Sequence, residues 1–254
     1  MKKAVLWLAL FILAAFPALG FEKVQNLTLS AEGLTRLDIT AGAGFLMVSG
    51  RDGLTAVEVK AHIQVSGVGD SEMEGWIKNH VELELRKAGD TAVLVGEIRS
   101  HGVFSLFDGE AKIDLTVSVP KTLALRIDDG SGELTVEDIK AGVRIKDGSG
   151  SLRVARITGD LWIEDGSGEI TVDGVEGSVD ITDGSGGMEV RNVTGDVSVD
   201  DGSGGMTLAH IGGSVTVDDG SGGIEIDDVA KDVRLKHTGS GGVDLSNVRG
   251  KVIR

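Results

Sequence analysis

Asp129-Gly130-Ser131-Gly132 recurs as Asp-Gly-Ser-Gly beginning at Asp147, Asp165, Asp183, Asp201 and Asp219, a strict period of 18 residues. A seventh, altered copy, Thr238-Gly239-Ser240-Gly241, follows at a spacing of 19, which places one inserted residue in Arg234-Leu235-Lys236-His237. Self-similarity at this period means stacked coils, each too small to bury its own apolar face.

The columns between the tetrapeptides support that reading. After the first copy come Leu134, Val136, Ile139, Val143 and Ile145; moved on by 18 they become Leu152, Val154, Ile157, Leu161 and Ile163, then Ile170, Val172, Val175, Val179 and Ile181. Carried through seven coils, 34 of these 35 positions are aliphatic or Met, and Arg254 alone departs. Paired apolar positions separated by one polar residue are the period-two pattern of strands with one buried face. Each coil is therefore expected to hold two short strands, joined at a corner around Ile139, Ile157 and Val175, and each strand to pair in parallel with its equivalent one coil away. The predicted fold is all-β: a single-stranded parallel β-solenoid with 18-residue coils over residues 127–254.

Asp-Gly-Ser-Gly suits the other corner. Glycine reaches positive φ without a Cβ penalty, and an Asp carboxylate can accept from backbone N–H groups two residues on. Stacking would also line up Asp129, Asp147, Asp165, Asp183, Asp201 and Asp219 about 4.8 Å apart, where adjacent carboxylates repel by roughly 1 kcal/mol in water. Turn hydrogen bonds offset that repulsion in the structural reading; a ladder of calcium ions is the alternative. The repeat does not match the nonapeptide calcium roll, because its Asp precedes the glycines and occurs once per 18 residues. No other cofactor is indicated.

Residues 1–20 have the layout of a secretory signal peptide: Lys2-Lys3, an apolar run from Ala4 to Ala15, then Pro17-Ala18-Leu19-Gly20. The run is short for a membrane span, no Cys follows for a lipid anchor, and no later segment is long and apolar enough to cross a bilayer. The expected location is the periplasm or the cell exterior. Removing the two signal lysines takes the formal charge from −15 to −17, a field that repels nucleic acid and anionic lipid. Cationic ligands, metal ions and neutral glycans stay open as partners. The chain has no Cys, so disulfides and thiolate metal sites are excluded, and with 4% aromatic residues and no Tyr it lacks a broad sugar-stacking platform.

Residues 21–126 are β-rich but irregular. Gly42-Ala43-Gly44-Phe45-Leu46-Met47-Val48 reads as a degenerate copy of the corner and the strand after it, so this half is expected to form wider, longer-stranded coils of the same solenoid. Ser71–His80 is a predicted short helix, and Pro120 marks the passage to the regular coils. The stretch His101–Gly109 carries Phe104, Leu106 and Phe107 outside any strand pattern, either packed over the wide coils or presented as a contact patch. Trp162 lies between inward Leu161 and Ile163 and should point outward, in a column with Arg144, Asp180, Ser198, Thr216 and Arg234. It is either a ligand contact or a surface ring lying on Arg144.

Catalytic signals are thin. His62, His80, His101, His210 and His237 are scattered without metal-ligand spacing, and the serines lie in turns. Carboxylate pairs such as Asp200-Asp201 and Asp218-Asp219 have the residue types of a glycosidase or lyase, but they recur from coil to coil, whereas an active site breaks a repeat at one place. No enzymatic activity is expected.

The pattern apolar-x-apolar-x-Asp-Gly-Ser-Gly-x-apolar-x-apolar, preceded by a strand ending in Val119-Pro120, resembles the bacterial family of putative adhesins, the head domain of a putative auto-transporter adhesin and a domain of unknown function. The resemblance covers residues 35–254. It implies a right-handed β-solenoid in an exported or cell-envelope protein, and it brings no catalytic motif. The chain departs from an autotransporter in reaching Arg254 without a C-terminal barrel. The expected function is a non-enzymatic adhesin or ligand-binding module for a glycan or envelope protein. A self-associating envelope scaffold, pairing through the C-terminal coil as a homo-oligomer, is the alternative; a polysaccharide-active enzyme comes third.

Overall fold

The structure is a computed structural model that describes residues 21–69, 73–99 and 111–254. The signal-like segment and the Phe104 and Phe107 loop lie outside the described residues. The irregular half contributes β1 (Phe21–Ser30), β2 (Arg36–Ala43), β3 (Leu46–Arg51), β4 (Ala56–Val65), α1 (Met73–His80), β5 (Val81–Ala88), β6 (Thr91–Ile98) and β7 (Ala111–Pro120). A long strand, β8 (Ala124–Ile139), opens the repeats. They continue as β9 (Val143–Asp147), β10 (Gly150–Thr158), β11 (Leu161–Asp165), β12 (Gly168–Glu176), β13 (Val179–Asp183), β14 (Gly186–Val193) and β15 (Val197–Asp201). The last are β16 (Gly204–Ile211), β17 (Val215–Asp219), β18 (Ile224–Val229), β19 (Val233–Thr238), β20 (Val243–Val248) and β21 (Val252–Ile253).

These strands form a parallel β-solenoid of about 7 turns. The even-numbered strands from β10 on stack as one sheet, A, and the odd-numbered strands from β9 on as the facing sheet, B. β8 serves both, with Leu125–Asp129 in sheet B and Leu134–Ile139 in sheet A. The register is the sequence period made physical: Leu152 faces Ile170, and Ile163 faces Ile181. The expected inward columns fill the space between the sheets and are at most 5% exposed from Leu134 through Leu235. Apolar stacks on apolar, so each buried side chain meets another aliphatic or Met side chain in the next coil.

The Asp-Gly-Ser-Gly corner carries the hydrogen-bond ladder from one sheet to the other. Gly166 N–H donates to Asp147 O at 3.0 Å, and Gly168 N–H donates to Ser185 O at 3.0 Å. The second glycine is obligatory for two reasons. Gly168 has φ +149, and a Cβ built on it would lie 1.6 Å from the carbonyl oxygen of Gly150, one coil back. The same clash recurs at Gly150, Gly186, Gly204 and Gly222, so these glycines fix how closely the coils approach.

The inserted residue sits where the spacing placed it. Register shifts between Val217 and Asp218, which face Leu235 and His237, and Lys236 is left as a bulge. In the final coil the core thins out: Val243, Leu245 and Val248 are half-buried, and Val252 is 45% exposed.

The N-terminal half bears out the degenerate corner and corrects the expectation of successive wide coils. β2 and β3 form one coil in register with β8, Ile39 facing Ile127 and Leu46 facing Leu134, with Gly44 heading the glycine column at φ +131. Yet β6 and β7 stack on the far side of β2 and β3, so this coil is clasped between β8 and strands that come later in the chain than itself. Beyond them the pairing turns antiparallel: β4 on β7, β1 on β4, and β5 on β6. The β5–β6 hairpin follows from its two-residue link, Gly89-Asp90, with Gly89 at φ +67; a parallel pair needs a long crossover. α1 forms within the predicted segment and buries Met73.

The glycine column yields a paired prediction. Gly168→Ala should destabilise the fold by more than about 2 kcal/mol, because neither φ nor the neighbouring carbonyl can yield alone. Gly187→Ala, where an added Cβ meets nothing within 4 Å, should change the thermal midpoint little. Equal effects in thermal unfolding would contradict the stacking constraint.

Candidate functional site

Period-two alternation decides which residues of the repeat can meet a ligand. Asp129, Asp147, Asp165, Asp183, Asp201 and Asp219 take inward positions at the ends of their sheet B strands and are buried, 1–6% exposed. Asp183, Asp201 and Asp219 each accept from the backbone N–H of the Ser two residues on, at 3.1–3.2 Å, which is the turn geometry expected from the sequence. At Asp129, Asp147 and Asp165 both carboxylate oxygens are buried without a hydrogen-bond partner. Burial, reinforced by the adjacent carboxylates of the column, pushes Asp129 up to about 7 and Asp165 and Asp201 up to about 6; burial also raises Asp147, Asp183 and Asp219. Among the described residues no group of three or more His, Asp or Glu is arranged to hold a metal ion.

The two carboxylates of each acidic pair lie on opposite faces. Asp200 is exposed and Asp201 is buried, so they cannot flank one substrate bond. His210 and His237 are tied to carboxylates, Asp228 at 3.1 Å and Asp218 at 2.8 Å. His62 lies 3.4 Å from Glu22, and His80 Nδ1 bonds the Trp76 carbonyl; His101 lies outside the described residues.

The outer face of sheet B is different. A groove of about 780 Å³ runs across several coils. Its floor is one register column, Arg126, Arg144, Trp162, Asp180, Ser198 and Thr216, with Lys146 beside it. Trp162 points outward as its parity requires and is half-buried, with Arg144 Cζ 5.1 Å and Lys146 Nζ 5.7 Å from the ring centroid. Cation–π attraction holds the ring against these two side chains. Lys146 also bonds Glu164 at 2.7 Å. On the far side Asp38, the register neighbour of Arg126, is engaged by Arg36 at 2.6 Å. Neither Arg126 nor Arg144 makes an ion pair among the described residues.

Arg126 was missed in the sequence because it precedes the first corner, while the columns were counted from the strand after it. A second column also escaped: Asp138, Arg156, Asn192, His210, Asp228 and Asn247, joined by Gly174, all have positive φ at the unpaired position just before the sheet A corner. Asp, Asn and Gly recurring at one phase of the repeat were the available signal. There Arg156 bridges Glu137 and Asp138, each at 2.8 Å.

A stacked-coil β-solenoid with a shallow groove on one sheet, lined by basic and acidic residues around one Trp, thus defines the class of protein. The family Toastrack DUF4097 matches residues 55–252, and the chain belongs to it. Solved structures with a similar fold include a "putative adhesin" from Bacteroides fragilis, 13% identical, TM-score 0.45, covering 91% of this chain and 96% of that one. Another is a "putative lipid binding protein" from Parabacteroides distasonis, 11% identical, TM-score 0.46, covering 92% and 97%. A third is a "putative cell adhesion protein" from Clostridium sporogenes, 14% identical, TM-score 0.38, covering 89% and 99%. No curated protein matches the chain.

The buried Asp column predicts an unusual pH dependence. A raised carboxylate pKa means that the folded state holds more protons than the unfolded state between about pH 4 and 7, so stability should fall as pH rises through that window. Asp201→Asn should raise the thermal midpoint at pH 7.5 and have less effect at pH 5, because the amide keeps the acceptor for Ser203 N–H and can donate along the column. Asp201→Ala loses that turn bond, about 1 kcal/mol, and should therefore leave the protein less stable than Asp201→Asn at both pH values. Thermal scans in which Asp201→Asn is destabilising at pH 7.5 would contradict this account.

Proposed function

We propose that the chain is an exported, non-enzymatic binding module of the bacterial cell envelope, and that the outer face of sheet B receives its ligand. The observation that carries this reading is the groove at Trp162, where an aromatic ring and two arginines that make no ion pair among the described residues line a concave surface in an otherwise strongly acidic chain. Aromatic rings and arginines are over-represented where proteins make energetic contacts. The basic and apolar layout of residues 1–20 supports export, and among the described residues no helix is long and apolar enough to cross a membrane. The split orientation of the carboxylate pairs supports a binding role over a hydrolytic one. A calcium ladder along the Asp column would make binding or assembly depend on calcium, so both conditions belong in the test.

A screen against glycans and extracellular-matrix proteins, run with calcium and with chelator, should yield a ligand whose affinity drops about tenfold in Trp162→Ala, the loss of one stacked aromatic contact. A blank screen under both conditions would overturn the reading.

A second reading is self-association through the terminal coil. It rests on Val252 and Ile253, which are 45% and 38% exposed at the edge of the last described strands. Sedimentation velocity should then show a concentration-dependent oligomer that Val252→Lys converts to a monomer. A monomeric parent, or an oligomer indifferent to the substitution, contradicts it.

A further inference from the structure

We infer that the groove on sheet B takes an acidic polysaccharide laid along the solenoid axis. This rests on the binding role proposed above for the same face and adds the chemical class of the ligand. Charge complementarity is the first argument. In a chain of net charge −15 the cations Arg126, Arg144 and Lys146 sit on two adjacent coils at one end of the groove, and among the described residues the first two make no ion pair; of the lining carboxylates, Asp160 and Asp196 are engaged by the Ser178 and Ser214 N–H groups and Asp180 lies beyond Trp162. Two of them, Arg144 and Lys146, converge on the ring of Trp162, at 5.1 Å and 5.7 Å. Lys146 has Glu164 as its counter-charge at 2.7 Å, whereas Arg144 has its planar guanidinium available for paired hydrogen bonds to an anion laid beside the ring.

Spacing is the second argument. The column from Arg126 to Thr216 spans five strand-to-strand steps, roughly 24 Å at about 4.8 Å each. A pyranose ring advances a polysaccharide by about one such step per residue, so successive sugars can meet successive coils. Uronate or sulfate groups then fall on Arg126 and Arg144, one coil apart, and the apolar face of one ring lies against Trp162. Beyond Trp162 the column changes to Asp180, Ser198 and Thr216, which accept or exchange hydrogen bonds with hydroxyls and disfavour a further anion. The change of chemistry along one line gives the bound chain a direction.

Other polyanions fit less well. A nucleic acid has no unit that can sit on Asp180 without its phosphates, and the acidic field of the whole protein opposes it at longer range. A bilayer is too flat to enter a concave strip one column wide. One ring is not the broad aromatic platform absent from the composition; here the arginines carry recognition and the ring orients the sugar.

The test is calorimetric titration of the protein with a polyuronate oligosaccharide and with the same oligosaccharide after reduction of its carboxyl groups to alcohols. Binding of the uronate, about tenfold or more weaker for the reduced sugar, is expected, and it should weaken further with added salt. Arg126→Gln combined with Arg144→Gln should abolish the preference for the acid form. Arg153→Gln, an exposed arginine on the opposite sheet, should leave it unchanged, with far-UV circular dichroism confirming that all variants fold. Equal affinity for the two sugars would overturn the inference and leave the binding role standing. So would no binding of either sugar alongside a ligand found in the wider screen. A blank in both experiments removes both readings. An equal loss in Arg153→Gln would reduce the effect to general charge attraction and overturn the site.

Discussion

The carbonyl oxygen of one corner glycine occupies the space where the next coil's glycine would carry a Cβ. At Gly168 the clash distance is 1.6 Å, and nearly the same value repeats at the neighbouring corners. That contact sets the approach of every coil to the next. It also locks the register, since the second corner glycine makes the tightest approach in each of these coils and a slip of one position would turn every buried Val, Ile and Leu to solvent. The hydrogen-bond ladder passing around the corner then loses nothing in the turn. Straight outward columns, including the one that floors the groove, follow from this constraint.

The same constraint has a cost. Parity carries the Asp of each tetrapeptide inward with the apolar residues, where its carboxylate is desolvated and faces its own kind one coil away. The Ser N–H two residues on offsets part of that penalty in the later coils, where the bond is made at 3.1–3.2 Å, and does so less in the earlier ones. A fold that needs Asp at this position for turn geometry therefore keeps carboxyls whose protonation is shifted toward neutral pH.

Most of the architecture was written in the spacing. The apolar columns, the parallel register, the bulge at Lys236 and the outward turn of Trp162 all follow from a period of 18 and alternation of two. The N-terminal half was less legible because it has no repeat to count. Its antiparallel strands β1, β4 and β5 look like any alternating strand until the partner is known, and only the Gly89-Asp90 link announced a reversal. The inward burial of the Asp column was available from parity alone, since Ile163 and Asp165 are two residues apart. The groove was only half visible: the period already aligned Arg144 with Trp162, whereas Arg126 precedes the first counted coil and a net charge of −15 averages it away. The composition argued for cationic or neutral partners, whereas the anion proposed above for this one face rests on the local placement of Arg126 and Arg144.

Trp162 is the point at which the stacking and the binding readings meet, and its indole N–H can be followed by itself. Two-dimensional NMR of the protein, with the Trp162 resonance assigned by substitution, should show that signal and the Arg126 and Arg144 guanidinium signals moving together as a polyuronate oligosaccharide is added, while signals from the outer face of sheet A stay fixed. Shifts that leave Trp162 untouched, or that spread evenly over both sheets, would contradict a ligand aligned on the sheet B column.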